Sequence, residues 1–455
     1  MSTLHSSDYK DKTQTQASIL YEIAELVIIG AIVAIFILTF RGKGEHALYS
    51  VAIATFACIV TAFSSGTDFV SSFEGIMALV NVRPLVILLC FSIIIGVVEQ
   101  QTIFEYFAVR IIRMTKDNVR LLFYLICLLA AFFSAFLEDV SVAMIFIPLI
   151  IRTAQLLAID AVPFITGISF SIIAGNLLTA FAAPSNILIS ELLGINTAWF
   201  FSTFFWLFLV IIVSTLVLLD LRQVKRIKVP DPVRVKILIE IFDSKTLIAN
   251  RKKFAINLAF LIGTFVAIIG IPAPLYIVLI VSVLVVCGTQ AESIGKHLKK
   301  ADWNLILFIF AIFMISACLN VSGLLKDLSK VFSMAIGNNV ALAVVLIIFT
   351  CALIGSFFSK TAAIIIFSTI INDLLVLNPP LVAYKDILAM ALVIGVVLGG
   401  NMVPQASSHL LKTLSITRER QIDRISQRTL TKNSIIFISI ALAAGLMYTL
   451  AFLYA

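Results

Sequence analysis

A polar stretch, Leu-Glu-Asp-Val-Ser at residues 137–141, interrupts the apolar run Leu121–Ala158 near its centre. The sequence Phe-Ser-Lys-Thr at residues 358–361 interrupts the run Ala341–Leu377 in the same way. Both runs are too long for one membrane crossing, because a spanning helix takes about 20 residues. Non-helical backbone at membrane depth is tolerated only where protein or a water-filled cavity surrounds it. Each run is therefore predicted to form a re-entrant hairpin with its polar tip beside a site.

The composition of the chain excludes a soluble fold. Of 455 residues, 61% are hydrophobic and 13% charged, and the mean hydropathy is +1.11. The net charge of +8 comes from Lys and Arg in short runs between apolar segments, so membrane topology explains it and nucleic acid is not expected as a partner. The six cysteines show no metal-ligand spacing, so we expect no disulfide, no metal and no cofactor. We expect a multi-pass protein in the lipid bilayer of a prokaryotic plasma membrane.

The order of elements repeats along the chain, with the two polar tips 221 residues apart. Each half contains five predicted spans and one hairpin, and an odd number of crossings inverts the second half relative to the first. The fold class predicted is an all-α membrane protein built from two inverted-topology repeats. Its segments are a polar tail at 1–17, a first repeat at 18–219 with a hairpin at 121–158 and an interrupted helix at 163–193, a basic linker at 220–253, and a second repeat at 254–455 with a hairpin at 341–377 and an interrupted helix at 384–411.

The distribution of basic residues predicts the orientation. Cytoplasmic loops carry an excess of Lys and Arg. Placing the basic linker 220–253 in the cytoplasm puts most of the 33 Lys and Arg residues on that side. Both termini then lie outside, the first hairpin opens to the cytoplasm and the second opens to the outside.

Three charged residues are predicted to lie at membrane depth, namely Glu138, Asp139 and Lys360. Such residues are expensive in the bilayer and are functional candidates by default. The 221-residue offset makes Asp139 equivalent to Lys360, so we expect this carboxylate and this ammonium to face each other and to ionise together, linking ion movement to protons. A structural ion pair is the alternative. His409 is either a proton carrier or a hydrogen-bonded core residue.

Polar residues also interrupt one helix in each half, at Gly175–Asn186 and at Gly400–His409. Broken helices expose amide and carbonyl groups that bind ions in transporters, whereas helix packing alone calls for small residues without amide side chains. Inverted repeats place equivalent breaks about a shared axis, so we expect one common cavity. The polar residues predicted to line it are Ser141, Asn176, Thr179, Ser185 and Asn186 from the first half and Ser359, Thr361, Asn401, Gln405 and Ser408 from the second.

These motifs resemble the paired signature of the ion transporter superfamily. The resemblance rests on Ala-Phe-Leu-Glu-Asp-Val-Ser-Val-Ala at 135–143, Gly-Asn at 175–176, Pro-Ser-Asn-Ile-Leu-Ile at 184–189 and Ser-Lys-Thr-Ala at 359–362. The superfamily takes in arsenite efflux pumps, sodium/proton antiporters, citrate–metal permeases and sodium-coupled dicarboxylate symporters. Two departures stand out: Glu138-Asp139 replaces the usual Asp-Asn of the arsenite and antiporter branches, and His409 replaces an Asn. The resemblance implies a scaffold domain, a mobile transport domain with an elevator-like motion, and a homodimer.

The function predicted is secondary active transport driven by a proton or sodium gradient. An inorganic ion, as in Na⁺/H⁺ antiport or arsenite efflux, is favoured over a di- or tricarboxylate, because Glu138 and Asp139 repel a dianion unless Lys360 and the helix N-termini outweigh them. The chain has no nucleotide motif, although an arsenite pump can borrow an ATPase partner. A channel needs a continuous pore, which paired hairpins do not favour. An intramembrane hydrolase using Ser359 and Lys360 is disfavoured because neighbours on a helix face each other poorly, so we expect no enzyme.

Overall fold

A computed structural model describes residues 22–38, 46–65, 80–99, 102–227, 229–241, 251–271, 273–289, 301–422 and 424–454. Every regular element within these residues is helical, which confirms the all-α fold class. The α-helices are, in chain order, 22–38, His46–Ser65, Val82–Glu99, Ile103–Thr115, Val119–Ser134, Asp139–Leu157, Val162–Gly175, Pro184–Leu193, Thr197–Arg222, Pro232–Ile241, Arg251–Gly270, Leu275–Thr289, Trp303–Val321, Leu324–Ile336, Val340–Phe357, Lys360–Leu377, Lys385–Val393, Ser408–Glu419 and Gln427–Tyr454.

The helices are long and apolar enough for a multi-pass membrane protein. Among the described residues, nine helices could cross a membrane by length and composition, and a tenth span results if Val82–Val98 and Ile103–Thr115 form one bent crossing. Three of the nine, Asp139–Leu157, Val340–Phe357 and Lys360–Leu377, lie in the runs predicted as hairpins, so the ten full spans predicted in addition to the hairpins stay a prediction. The polar tail at 1–17 and part of the basic linker, residues 242–250, lie outside the described residues.

Both long apolar runs break at their predicted polar tips. The first divides into Val119–Ser134 and Asp139–Leu157, and the second into Val340–Phe357 and Lys360–Leu377. The new helix begins at the charged residue of the tip in each case. The re-entrant course of these hairpins stays a prediction.

Both interrupted helices are also broken where the Gly, Pro and Asn residues predict it. The first stops at Gly175 and resumes at Pro184, whose missing N–H is tolerated at a helix start. The second passes from Lys385–Val393 into a π-helical turn at Ile394–Leu398 and a 3₁₀ turn at Gly399–Asn401. A new helix then begins at Ser408.

The local backbone repeats with the 221-residue offset seen in the sequence. The helices Ile103–Thr115 and Leu324–Ile336 have 13 residues each. Positive φ angles precede them at Thr102 and Gly323, and follow them at Lys116 and Gly337. The apolar pattern alone does not predict these short helices, because their outer faces are polar and they directly follow long apolar spans. The structure therefore repeats in its local conformation, while the inversion of the two halves stays a prediction.

The chain divides into two compact units that each draw on both halves of the sequence. The first unit spans residues 1–86, 302–340 and 365–385. In its described part, helix His46–Ser65 packs along Trp303–Val321, where the Sγ atoms of Cys58 and Cys318 lie 3.2 Å apart.

The second unit spans residues 87–301, 341–364 and 386–455. Within it, helix Val119–Ser134 packs on Val162–Gly175, and helix Ser408–Glu419 packs on Asp139–Leu157. The last helix is tied to the unit by Tyr448, whose hydroxyl donates to the carbonyl oxygen of Thr203 at 2.6 Å. The predicted repeats are continuous segments of the chain, whereas each of these two units combines segments from both halves. The repeat boundaries at 18–219 and 254–455 therefore stay predictions.

Candidate functional site

All the residues predicted to form the site belong to the second unit. It contains both polar tips and both interrupted helices. The site can therefore be described within one compact body.

Side-chain hydrogen bonds hold the first tip to the first interrupted helix. Ser134 Oγ, in the last turn before the tip, donates to Asn176 Oδ1 at 2.5 Å, and Thr179 Oγ1 donates to the carbonyl oxygen of Ala135 at 2.5 Å. Asn186 Nδ2 donates to the carbonyl oxygens of Asn176 and Thr179 at 2.5 and 2.8 Å. These bonds satisfy carbonyls that the break removes from the helical pattern. Asn176 and Thr179 thus shape the break, and Asn186 Oδ1 is left buried without a hydrogen-bond partner.

The second tip contacts the second interrupted helix in a similar way. Ser356 Oγ, also in the last turn before its tip, donates to the carbonyl oxygen of Gly399 at 2.6 Å. Lys360 Nζ donates to Asn401 Oδ1 at 2.6 Å, and Asn401 Nδ2 donates to the carbonyl oxygen of Val397 at 2.6 Å. The ammonium of Lys360 is thereby held against the unwound backbone.

Gly400 provides the space through which Lys360 reaches Asn401. A Cβ atom at position 400 would lie 2.9 Å from Lys360 Cγ and 3.1 Å from Cε. Real Cβ atoms essentially never lie within 3.0 Å of another atom, so the contact with Cγ would force a shift. The aliphatic part of Lys360 therefore requires glycine at this position.

A buried pair of ionisable residues joins the first tip to the second interrupted helix. Asp139 Oδ2 lies 3.1 Å from Nδ1 of His409, and Ser407 Oγ lies 3.1 Å from the same nitrogen. Asp139 is 7% exposed and His409 is fully buried. The His409 Nε2 atom has no hydrogen-bond partner among the described residues. With Nδ1–H donating to Asp139, Nε2 presents an open lone pair that can accept a proton or a ligand donor.

The repeat predicts that Asp139 and Lys360 face each other and ionise together, and this coupling stays a prediction. Within the residues that the structure describes, no ion pair joins them: Asp139 bonds to His409 and Lys360 bonds to Asn401. The physical reason is that equivalence in a repeat identifies similar positions and does not require contact.

The other predicted residues differ in exposure. Ser141, Ser185 and Thr361 are buried, Glu138, Ser359 and Gln405 are partly buried, and Ser408 is exposed. Gln405 Oε1 is buried without a hydrogen-bond partner. The convergence of the whole set on a single cavity stays a prediction.

Three serines with a role in this geometry were not among the residues predicted. Ser134 and Ser356 each connect a tip to its broken helix, and Ser407 contacts His409 in place of the exposed Ser408. A serine in the last turn before each tip, present in both halves, is the sequence signal that could have identified the first two. No such signal separates Ser407 from its neighbour, because the start of the new helix decides which hydroxyl points inward.

Four helices begin in this unit at or next to predicted site residues, namely at Asp139, Pro184, Lys360 and Ser408. The residues that precede the first, second and fourth of them make no side-chain capping bond. The N-terminus of a helix carries a partial positive charge and free N–H groups that favour anions. Together with Lys360, these helix starts give the site groups that favour an anion, while Asp139 favours a cation. No group of three or more His, Cys, Asp or Glu side chains suited to a metal ion occurs in the described part of the chain.

The fold and the site define a multi-pass membrane transporter, with buried charges held on broken helices. The chain belongs to the citrate transporter family, whose model matches residues 23–397. The 46 kDa membrane protein of Mycobacterium leprae is 25% identical over 339 residues, covering 73% of this chain and 77% of that protein. An uncharacterized transporter of Mycobacterium tuberculosis is 24% identical over 404 residues, covering 88% of this chain and 92% of that protein.

The fold is similar to that of a solved transporter. The crystal structure of the Alcanivorax borkumensis YdaH transporter, described as having an unusual topology, superposes with a TM-score of 0.54 at 16% identity. The alignment covers 84% of this chain and 90% of that one. These findings confirm the resemblance to the ion transporter superfamily and the multi-pass membrane location. The chain is a transporter and not an enzyme.

Proposed function

We propose that this protein is a secondary active transporter that carries a small carboxylate anion together with protons by alternating access. The observation that carries the proposal is the buried Asp139–His409 pair in the same compact unit as Lys360. Histidine changes its charge near neutral pH more readily than any other side chain. A carboxylate–imidazole pair is therefore suited to bind the coupling proton.

The charges of the site favour an anion over the inorganic cation that the sequence favours. The sequence argument rests on repulsion between a dianion and the two acidic residues Glu138 and Asp139. In the structure Asp139 is paired with His409, and a protonated His409 cancels its charge. Lys360 and the nearby helix starts then attract an anion. The family match supports a tricarboxylate, so citrate is the first substrate to test.

Proton binding and anion binding reinforce each other in this scheme. When His409 is protonated, the imidazolium balances the Asp139 carboxylate, and the Lys360 ammonium leaves the three groups with one positive charge. When the proton leaves, the Asp139 carboxylate balances Lys360 and the attraction for an anion falls. Because such linkage is reciprocal, a bound anion also favours the protonated pair. The proton and the anion would then cross the membrane in the same direction.

The mechanical part of the proposal is an elevator-like motion. Both tips and both broken helices belong to one compact unit, which suits a site that moves as a body. The homodimer implied by the superfamily resemblance is part of the same proposal.

A second candidate is exchange of an inorganic cation such as Na⁺ for protons. It is favoured by two buried acceptor oxygens without partners, Asn186 Oδ1 and Gln405 Oε1, in the same unit as the Asp139 carboxylate. Amide and carboxylate oxygens are ligands for hard cations such as Ca²⁺ and Mg²⁺, and Na⁺ is of the same kind. In this alternative Lys360 is a counter-ion that the entering cation displaces.

The test is transport by the purified protein in proteoliposomes. Uptake of radiolabelled citrate and of ²²Na⁺ is measured under an inward proton gradient, an inward sodium gradient, and neither. We expect saturable citrate accumulation with the proton gradient and none with empty vesicles. Sodium movement that is driven only by an opposing proton gradient, without citrate uptake, would establish the second candidate. Failure of both ions under all gradients would reject both functions.

A further inference from the structure

A short helix in the basic linker presents two different apolar faces. Helix Pro232–Ile241 packs against helix Asp139–Leu157, and its buried residues are Val235 and Leu238. The opposite side of the helix is not covered by the described part of the chain. The segment is thus anchored to the second unit along one face only.

The uncovered side is a continuous apolar stripe. Val229, Val233, Ile237 and Ile241 follow each other at intervals of four residues, and their exposed fractions are 77%, 63%, 44% and 45%. Residues four apart lie one above the other on a helix, so the last three share one face. Four large aliphatic side chains in one exposed row are too many to be scattered surface residues, and such a patch indicates an interaction surface.

Basic side chains flank the stripe. Among the described residues from Arg222 to Ile241, the exposed basic residues are Arg222, Lys225, Arg226, Arg234 and Lys236, and the exposed acidic residues are Asp231 and Glu240. An apolar face flanked by Lys and Arg is the pattern of a helix that lies in the membrane interface. Basic residues beside a membrane span also attract anionic lipids.

The position of the helix between two candidate spans favours the bilayer over a soluble partner. The span before it extends over Thr197–Arg226, and the next begins at Arg251. Short connections on both sides therefore keep Pro232–Ile241 close to the surface of the membrane that the chain itself crosses.

We propose that the segment Val229–Ile241 is an interfacial element that inserts its apolar stripe into the bilayer surface and binds anionic phospholipid headgroups through Arg234 and Lys236. Because the helix packs on Asp139–Leu157, which begins at the site residue Asp139, the lipid-bound segment is in contact with an element of the transport site. The inference does not depend on which ion the protein carries.

Insertion of the stripe is tested with the full-length protein in nanodiscs by fluorescence quenching. The variant Val233→Trp is compared with the wild type, whose native tryptophans supply the background, in lipids brominated at upper acyl positions. Since Trp206 is itself exposed on a candidate span, the wild-type emission is subtracted, and we expect the emission gained at position 233 to be quenched by these lipids. The variant Val382→Trp is measured in the same way for comparison. Val382 is 55% exposed in the 3₁₀ turn Pro379–Tyr384. Absence of quenching at position 233 would place the stripe in water and overturn the proposal.

Headgroup recognition is tested by amide hydrogen exchange of residues 232–241 in two kinds of nanodisc. In 30% phosphatidylglycerol we expect slower exchange than in pure phosphatidylcholine, with the difference lost at high salt. Arg234→Gln with Lys236→Gln should weaken this lipid dependence about fivefold for each charge removed. Arg418→Gln with Arg420→Gln, at the C-terminal end of helix Ser408–Glu419 in the same unit, is the matched control and should keep the lipid dependence. Equal hydrogen exchange of the wild type in both lipids would contradict the proposed binding of anionic headgroups.

Discussion

At the scale of single residues, the proposed proton coupling depends on the contact between Asp139 and His409. Their side chains meet although 270 positions separate them in the chain. The imidazole has one nitrogen bonded to the carboxylate, and the other has no hydrogen-bond partner among the described residues. This arrangement holds the ring in place and leaves Nε2 open.

Replacing His409 should separate transport from its pH dependence. In His409→Asn, an amide can still donate to Asp139 from the position of Nδ1 but does not titrate. We expect this variant to exchange substrate at equilibrium while losing accumulation driven by a proton gradient by at least tenfold. Asp139→Asn should lose both the equilibrium exchange and the accumulation driven by a proton gradient. Counterflow and gradient-driven uptake in proteoliposomes provide the two measurements.

The control for these variants is Ser169→Ala, which removes a buried hydroxyl bonded only to its own helix at Ile165. It should keep the wild-type pH profile. If His409→Asn also kept that profile, the coupling proton would have to bind elsewhere, and the proposed role of the pair would be wrong.

The position of the Lys360 ammonium depends on the missing side chain at Gly400. Gly400→Ala would place a methyl group 2.9 Å from Lys360 Cγ and force the side chain away from Asn401. Overpacking of this kind costs about 1–3 kcal/mol, so we expect the apparent KM for the transported ion to rise about tenfold. Gly263→Ala is the control, because a Cβ there meets nothing within 4 Å. An unchanged KM in Gly400→Ala would show that the position of Lys360 does not affect binding.

At the scale of elements, the repeated short helices end in the same unusual backbone conformation with different residues. Gly337 has a φ of 55° and Lys116 a φ of 49° at the equivalent point after their helices. Glycine adopts such angles without strain, whereas a residue with a Cβ is strained by about 1–2 kcal/mol. The first repeat therefore contains a conformational strain that the second avoids.

Lys116→Gly should stabilise the protein by about 1 kcal/mol, since the relief of strain exceeds the added freedom of the unfolded chain. The apparent melting temperature in detergent is the measurement. Asp117→Gly is the matched control, because position 117 has no positive φ and its substitution should lower the melting temperature. A lower melting temperature in both variants would contradict the strain at Lys116.

At the scale of the whole molecule, the orientation predicted from the basic residues can be checked by labelling. In a background without cysteine, Lys236→Cys should react with a membrane-impermeant maleimide only from the cytoplasmic side. Val382→Cys should react only from the outside, because the second hairpin is predicted to open there. Both positions are exposed in the structure. Labelling of position 236 from the outside would reverse the predicted topology.

The sequence by itself determined the membrane class, the helical fold and the positions of the breaks. These features depend on local composition: an apolar run of sufficient length spans a bilayer, and clusters of Gly, Pro, Asn and Ser within such a run favour a break in the helix. The polar tips at residues 137–141 and 358–361 and the break that precedes Pro184 were therefore predictable. The resemblance to the superfamily followed from the same stretches.

Only the tertiary structure decided which polar atoms meet. The 221-residue offset suggested contact between Asp139 and Lys360, but packing of the helix that begins at Ser408 against Asp139–Leu157 brings His409 to the carboxylate instead. Likewise Lys360 reaches Asn401 only because Gly400 lacks a side chain. A hydrogen bond requires partners within about 3 Å in suitable directions, and such distances between remote segments are set by how the helices pack, which no local pattern encodes.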